Sequence, residues 1–173
     1  MAEGRLYEVD MRLRPSGSKG PVATAFSGFE NYQMNDAWTW EHLALTRARV
    51  VAGNPDLGAD IEAVRSRVLA AKSNGAEAQR DVASMRRRIA QAKAPDGPLD
   101  AKIGAGRLQD VELAGQLAAL MIGHTGRATV DQIETGVAAG VLSAAGRGGI
   151  NGCGGVVLVG TGCRTAGHGG WAS

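Results

Sequence analysis

The spacing of apolar residues changes once along this chain, near residue 20, and that change limits the folds open to it. In Leu6-Tyr7-Glu8-Val9-Asp10-Met11-Arg12-Leu13-Arg14 the spacing is two. Tyr7, Val9, Met11 and Leu13 share one face, and Glu8, Asp10, Arg12 and Arg14 share the other, as in a half-buried strand. Residues 16 to 24, Ser-Gly-Ser-Lys-Gly-Pro-Val-Ala-Thr, read as a loop and as the first domain boundary. Beyond them the spacing becomes about 3.6 and stays there. The expected fold is mostly α. One or two strands ending an α/β domain occupy residues 1–24, an antiparallel helical bundle residues 25–145, and a disordered glycine-rich tail residues 146–173.

The charged face of the strand admits two readings. A carboxylate followed at plus two and plus four by guanidinium groups suits a metal-bound polyphosphate. Asp10 would take a hard divalent cation, and Arg12 and Arg14 would fork onto phosphate oxygens. An exposed edge strand whose charges compensate one another gives the same pattern.

Phe26, Phe29 and Tyr32 are spaced for one face of a short helix, and the next helix is expected to run from an Asp36 cap to Gly53. On it Trp40, Leu43, Ala44, Ala48, Val50 and Val51 form an apolar sector that includes Arg47. A guanidinium there either faces an anion, a phosphate or a carboxylate of the strand domain, or snorkels out of the groove between helices. Arg49 points to the far, solvated side. Asn54-Pro55 opens a third helix with Leu57, Ile61, Val64 and Val68 at core spacing. A fourth follows Asn74-Gly75 with Val82, Met85, Ile89 and Ala92; Arg86-Arg87-Arg88 fan across it and read as a solvated face.

The stretch Asp100-Ala101-Lys102-Ile103-Gly104-Ala105-Gly106-Arg107 precedes another helix, with core positions Leu108, Val111, Gly115, Ala118 and Ile122. Glycines before a helix let backbone amides approach an anion, and Lys102 and Arg107 add charge; a plain turn has the same spelling. Asp110 and Glu112 flank the core face and suit the positive end of the helix. After Gly123-His124-Thr125-Gly126, Val130, Ile133, Val137 and Val141 supply a last amphipathic helix.

With 19 basic and 17 acidic side chains in 173 residues, net charge gives no reason to invoke nucleic acid. No apolar run approaches the roughly 20 residues that cross a bilayer, and no signal-peptide pattern stands at Met1, so no membrane association and a cytoplasmic location are expected. Cys153, Cys163 and His168 in the tail match no common zinc spacing. The abrupt end of the helical pattern near Gly146 suggests a shifted reading frame.

Taken together, Tyr-Glu-Val-Asp-Met-Arg-Leu-Arg-Pro-Ser-Gly from Tyr7, Gly20-Pro21-Val22-Ala23-Thr24, Ala37-Trp38-Thr39-Trp40-Glu41 and Ala44-Leu45-Thr46-Arg47-Ala48-Arg49 closely resemble glutamine synthetase adenylyltransferase. The likeness is to the C-terminal, adenylyl-adding half of that two-headed enzyme and covers roughly residues 4 to 145. It departs from the family at Arg107, where a second glycine is expected, and at Leu113, where phenylalanine is. The resemblance implies a nucleotidyltransferase that uses ATP and magnesium to place AMP on a tyrosine hydroxyl of glutamine synthetase, under a PII-type signalling protein. It implies Asp10 as a catalytic, magnesium-binding carboxylate, Arg12 and Arg14 facing the triphosphate, and Arg47 and Lys102 near the nucleotide or the domain junction. Two further carboxylates of the family's site belong to an element upstream of residue 1. The chain alone is therefore expected to make no transfer. A noncatalytic helical docking or regulatory module, the adenylyl-removing half, and a related uridylyltransferase are the alternatives.

Overall fold

The computed structural model describes residues 14–144 and the short strand Val156–Leu158. A 3-10 turn at Gly17–Lys19 leads into α1 (Phe26–Asn35), α2 (Thr39–Leu45), α3 (Pro55–Ala71), α4 (Gly75–Ala92), α5 (Leu108–Ile122) and α6 (Thr129–Ala138). β1 (Leu142–Ala144) then pairs antiparallel with β2 (Val156–Leu158), with Leu142 opposite Leu158. The described part is thus mostly helical, as expected. The strand over residues 6–14, with Asp10 and Arg12, lies outside the described residues except for Arg14. Within the tail expected to lack structure, the β-branched run at Val156 and Val157 forms β2.

The local chemistry explains most of the helix boundaries. The Asn54 side chain accepts hydrogen bonds from the amides of Asp56 (2.7 Å) and Leu57 (3.2 Å), and Pro55 occupies the first helical position of α3. Glu41, in the first turn of α2, reaches back 2.9 Å to the Trp38 amide, one half of a capping box. Gly123 ends α5 in the left-handed conformation at φ 66°, and the His124 amide closes on the Ala119 carbonyl at 2.8 Å.

One helix departs from the sequence reading. α2 stops at Leu45 instead of reaching Gly53: the amides of Arg47 and Ala48 close tighter, three-residue bonds on Ala44 O (3.1 Å) and Leu45 O (3.2 Å), and three carbonyls at and beyond this end receive side-chain donors from elsewhere. Arg65 of α3 donates from Nε to Leu45 O (2.8 Å) and from Nη2 to Thr46 O (2.6 Å). Arg127, from the loop before α6, donates from Nε to Ala48 O at 2.8 Å. Residues 48–53 are consequently non-helical and exposed, and Trp40, Val50 and Val51 do not join the core.

The core gathers Leu43, Val64, Val68, Leu69, Leu117, Ala118, Leu120 and Leu142, each at most 2% exposed. α5 is its centre, packing against α2, α3, α4 and α6. The α5–α6 crossing depends on Gly136, where a Cβ would stand 2.7 Å from that of Ala118.

Candidate functional site

The junction between the N-terminal segment and the helices is a groove of about 540 Å³. Pro15 forms one edge, and Arg47, Arg49, Glu62 and Arg65 line the floor and the far side. The loop after the strand motif is folded back by Arg14, whose guanidinium donates to Gly20 O and Ser18 O, both at 3.1 Å. Tyr32 ties this loop to the helices. Its hydroxyl donates to Glu41 (2.9 Å), and its pKa is raised, chiefly by burial, while the Ser16 backbone pulls it the other way.

Arg47 is not in an apolar sector. Since α2 ends before it, its side chain is 45% exposed and meets Glu112 of α5 at 3.1 Å. The carboxylate expected opposite Arg47 is therefore supplied by the helical part itself. Arg49 is exposed, as the sequence suggested. Beneath them Arg65 is buried, its side chain 3% exposed, and burial, with the nearby charge of Arg127, lowers its pKa against the pull of Glu62. Glu62 also accepts from Arg127 at 2.5 Å. The segment carrying Arg47 and Arg49 is thus held by two guanidinium groups on its own carbonyls.

Lys102 lies in the turn before α5, exposed and with its backbone at the helix entrance. Several of the amides that could meet an anion there are already engaged. Asp100 accepts from Lys102 N (2.9 Å), Ile103 N (3.0 Å) and Asp96 N (3.0 Å), which hold its carboxyl below the usual range, Ile103 contributing most. Asp110 accepts from Gly106 N at 2.8 Å. Arg107 folds its guanidinium onto the carbonyls of Asp100 and Ile103, occupying the space beside Gly104. The turn is a self-satisfied knot, not an open cradle.

Arg86, read from the sequence as solvated, forks onto Asp110 with Nε at 2.8 Å and Nη2 at 2.5 Å. This bond is the main reason the Asp110 carboxyl is held low and the Arg86 guanidinium high. Sequence reasoning missed the roles of Arg65, Arg127, Arg86 and Asp100. Arg65 carried a usable signal, since it stands four residues after Ile61 and three before Val68.

The groove is lined by the cations Arg47, Arg49 and Arg65 with Glu62 among them. Among the described residues no group of three or more potential metal ligands is present, and Asp10 lies outside them. No helix among the described residues is long and apolar enough to cross a membrane.

Residues 1–64 match the family described as glutamate-ammonia ligase adenylyltransferase. The chain is 50% identical over 120 residues to a protein of Agrobacterium fabrum named bifunctional glutamine synthetase adenylyltransferase/adenylyl-removing enzyme, covering 69% of this chain and 12% of that one. A Brucella suis protein of the same name is 51% identical over 119 residues, 69% of this chain and 12% of its own length. One from Mesorhizobium japonicum is 45% identical over 130 residues, 74% and 13% respectively. The chain spans about an eighth of the length of these relatives.

Proposed function

Because this chain belongs, over the stretch it shares with them, to the glutamate-ammonia ligase adenylyltransferase family, we propose that it contributes to a site that moves AMP from ATP to a tyrosine hydroxyl of glutamine synthetase. The observation that supports this most is the junction groove. It brings the end of the strand motif, at Pro15, beside Arg47 and Arg49 of the Ala44-Leu45-Thr46-Arg47-Ala48-Arg49 string, more than 30 residues along the chain.

In this reading the tyrosine oxygen forms a bond to the α-phosphorus as the bond to the pyrophosphate leaving group breaks. The protein's share is alignment and charge stabilisation. Arg12 faces the triphosphate from the strand motif, and Arg14, whose guanidinium is held on the Ser18 and Gly20 carbonyls, adds its charge at the end of that motif. Arg47 supplies positive charge from the helical side, with Glu112 setting its position. Asp10 is the carboxylate that would hold magnesium, which supplies further neutralisation of phosphate charge when bound. Lys102 acts through its charge at the entrance of α5, its own amide being bonded to Asp100. A PII-type protein is the proposed regulator.

The chain by itself makes no transfer in this reading, because the family's other two carboxylates are not among its residues. Radiolabelled AMP appearing on glutamine synthetase with the purified chain and Mg-ATP would overturn that part. The positive test is a graft, in which the matched segment of the Agrobacterium fabrum relative is replaced by the corresponding residues of this chain. The chimera is expected to label glutamine synthetase, and Asp10→Asn in it to abolish labelling. A chimera indifferent to that change would sink the assignment. The relatives' name includes adenylyl removal, so release of AMP from adenylylated synthetase by the same chimera is the second activity to measure.

A further inference from the structure

Three guanidinium groups line the junction groove, and two of them are already engaged within the described residues. Arg65 is buried, with Nε and Nη2 on the carbonyls of Leu45 and Thr46. Arg47 meets Glu112 at 3.1 Å, so much of its charge is answered from α5. Both carboxylates of the lining are taken as well. Glu41 accepts from the Tyr32 hydroxyl and the Trp38 amide, each at 2.9 Å, and Glu62 lies between Arg127 (2.5 Å) and Arg65 (3.8 Å). Arg49, exposed on the same lining, makes no ion pair or hydrogen bond among the described residues. It is the cation of the groove whose charge is left open.

An unpaired arginine on a surface is ordinary; what sets Arg49 apart is the backbone beneath it. The carbonyls of Leu45, Thr46 and Ala48, all just before it, are each held by a guanidinium group from another element. Arg127 reaches Ala48, the residue before Arg49, from 79 positions along the chain. Its own place is fixed twice, by the pair with Glu62 of α3 and by Gln132, whose amide nitrogen donates to the preceding carbonyl, that of Gly126, at 3.0 Å. A side chain on a held backbone loses less freedom when it captures an anion than one on a loose turn. A guanidinium also meets phosphate oxygens two at a time, which an ammonium cannot.

We propose that Arg49 is the residue of this groove that contacts the phosphate groups of the nucleotide, and that Arg127 is a positioning residue that presents it through the Ala48 carbonyl, a step that rests on the adenylyl-transfer reading. The two arginines of the Thr46-Arg47-Ala48-Arg49 string then divide the work. Arg47 ties the turn to α5 and lends charge, and Arg49 meets the anion.

The first test uses the full chain. Its arginines are modified with phenylglyoxal and read residue by residue by mass spectrometry, with and without millimolar inorganic triphosphate. Arg49 is expected to react readily and to be slowed several-fold by triphosphate, while Arg87, exposed on α4, reacts unchanged. Because Arg49 is exposed, Arg49→Ala is expected to leave the urea midpoint of the full chain where it was. The second test uses the chimera described above, grafted through Ala144. There Arg49→Ala is expected to raise KM for ATP about tenfold and to leave KM for glutamine synthetase unchanged. Arg127→Met is expected to raise KM for ATP about threefold, and to add nothing in a chimera already carrying Arg49→Ala. An Arg127 that merely stabilised the fold would act equally in both backgrounds. Equal slowing of Arg49 and Arg87, no slowing of Arg49, an ATP KM indifferent to Arg49→Ala, or an Arg127→Met effect undiminished by Arg49→Ala would each overturn the proposal. Labelling by the unaltered chimera, lost with Asp10→Asn, would in those cases leave the adenylyl-transfer reading standing. An unaltered chimera that fails to label overturns both.

Discussion

Arg65 and Arg47 stand 18 residues apart and do opposite kinds of work. Arg65 is buried and donates to two carbonyls at the end of α2. Arg65→Ala removes both donors, leaving Leu45 O with the Ala48 amide at 3.2 Å; the expected loss is about 2–4 kcal/mol of unfolding free energy, read by urea titration. Arg47 forms a half-exposed pair with Glu112, and Arg47→Ala is expected to cost at most about 1 kcal/mol in the same measurement. If Arg47 serves the nucleotide, the graft carrying Arg47→Ala loses transfer while its stability barely changes. The same contrast governs pH. His42 is buried, its ring nitrogen Nε2 donating to Gln33 O at 3.0 Å, and burial, then the charge of Lys72, lowers its pKa, with the Gln33 carbonyl and Glu41 opposing. The unfolded chain thus binds the proton first. Stability from this group is complete above the ordinary value of 6.5 and drains away as pH falls from there towards the lower folded value. Unfolding midpoints measured down from neutrality are expected to fall in this window, and His42→Gln, which keeps a donor for the carbonyl, is expected to flatten the fall.

At the scale of elements, the boundaries that local chemistry sets were legible and those that distant side chains set were not. Asn54-Pro55 spells the start of α3, and Gly123 the end of α5, without any knowledge of neighbours. The end of α2 is written 20 residues downstream in Arg65 and nearly 80 downstream in Arg127, so periodicity alone carried the helix on to Gly53 and placed Arg47 in an apolar sector. At the turn before α5 the sequence left an anion cradle and a plain turn both open. Its glycines advertise open amides, but Asp100 and Asp110 accept from the amides of Lys102, Ile103 and Gly106, and Arg107 donates to the Ile103 carbonyl. Of the candidate site, the strand residues Asp10 and Arg12 fall outside the described residues, and what could be compared is Arg14, Arg47 and Lys102. At the α5–α6 crossing, Gly136→Ala would press a methyl onto Ala118 at 2.7 Å and onto Leu142 at 3.0 Å. Overpacking of this kind is expected to cost about 1–3 kcal/mol, read as a lower midpoint with an unchanged slope.

For the whole molecule, the question is where the cooperative unit ends. Among the described residues every buried apolar side chain lies between Leu43 and Leu142, and β2 pairs with β1 over three residues and lies against α5. Core burial among the described residues therefore closes at Leu142. A chain ending at Ala144 loses the backbone bonds to Val156–Leu158, a net loss of about 1–2 kcal/mol at roughly 0.5–1.5 kcal/mol per bond. For a chain of this size each 1 kcal/mol corresponds to about 2–4 °C in Tm. Leu69→Ala, by contrast, opens a cavity at a site with no exposure and is expected to cost about 2–5 kcal/mol. Scanning calorimetry on the two variants separates the cases. Truncation is expected to leave one transition, lowered by a few degrees, and Leu69→Ala to lower it more. A truncated chain that melts without a cooperative transition would mean that the tail completes the core, and the boundary near Gly146 would have to be abandoned.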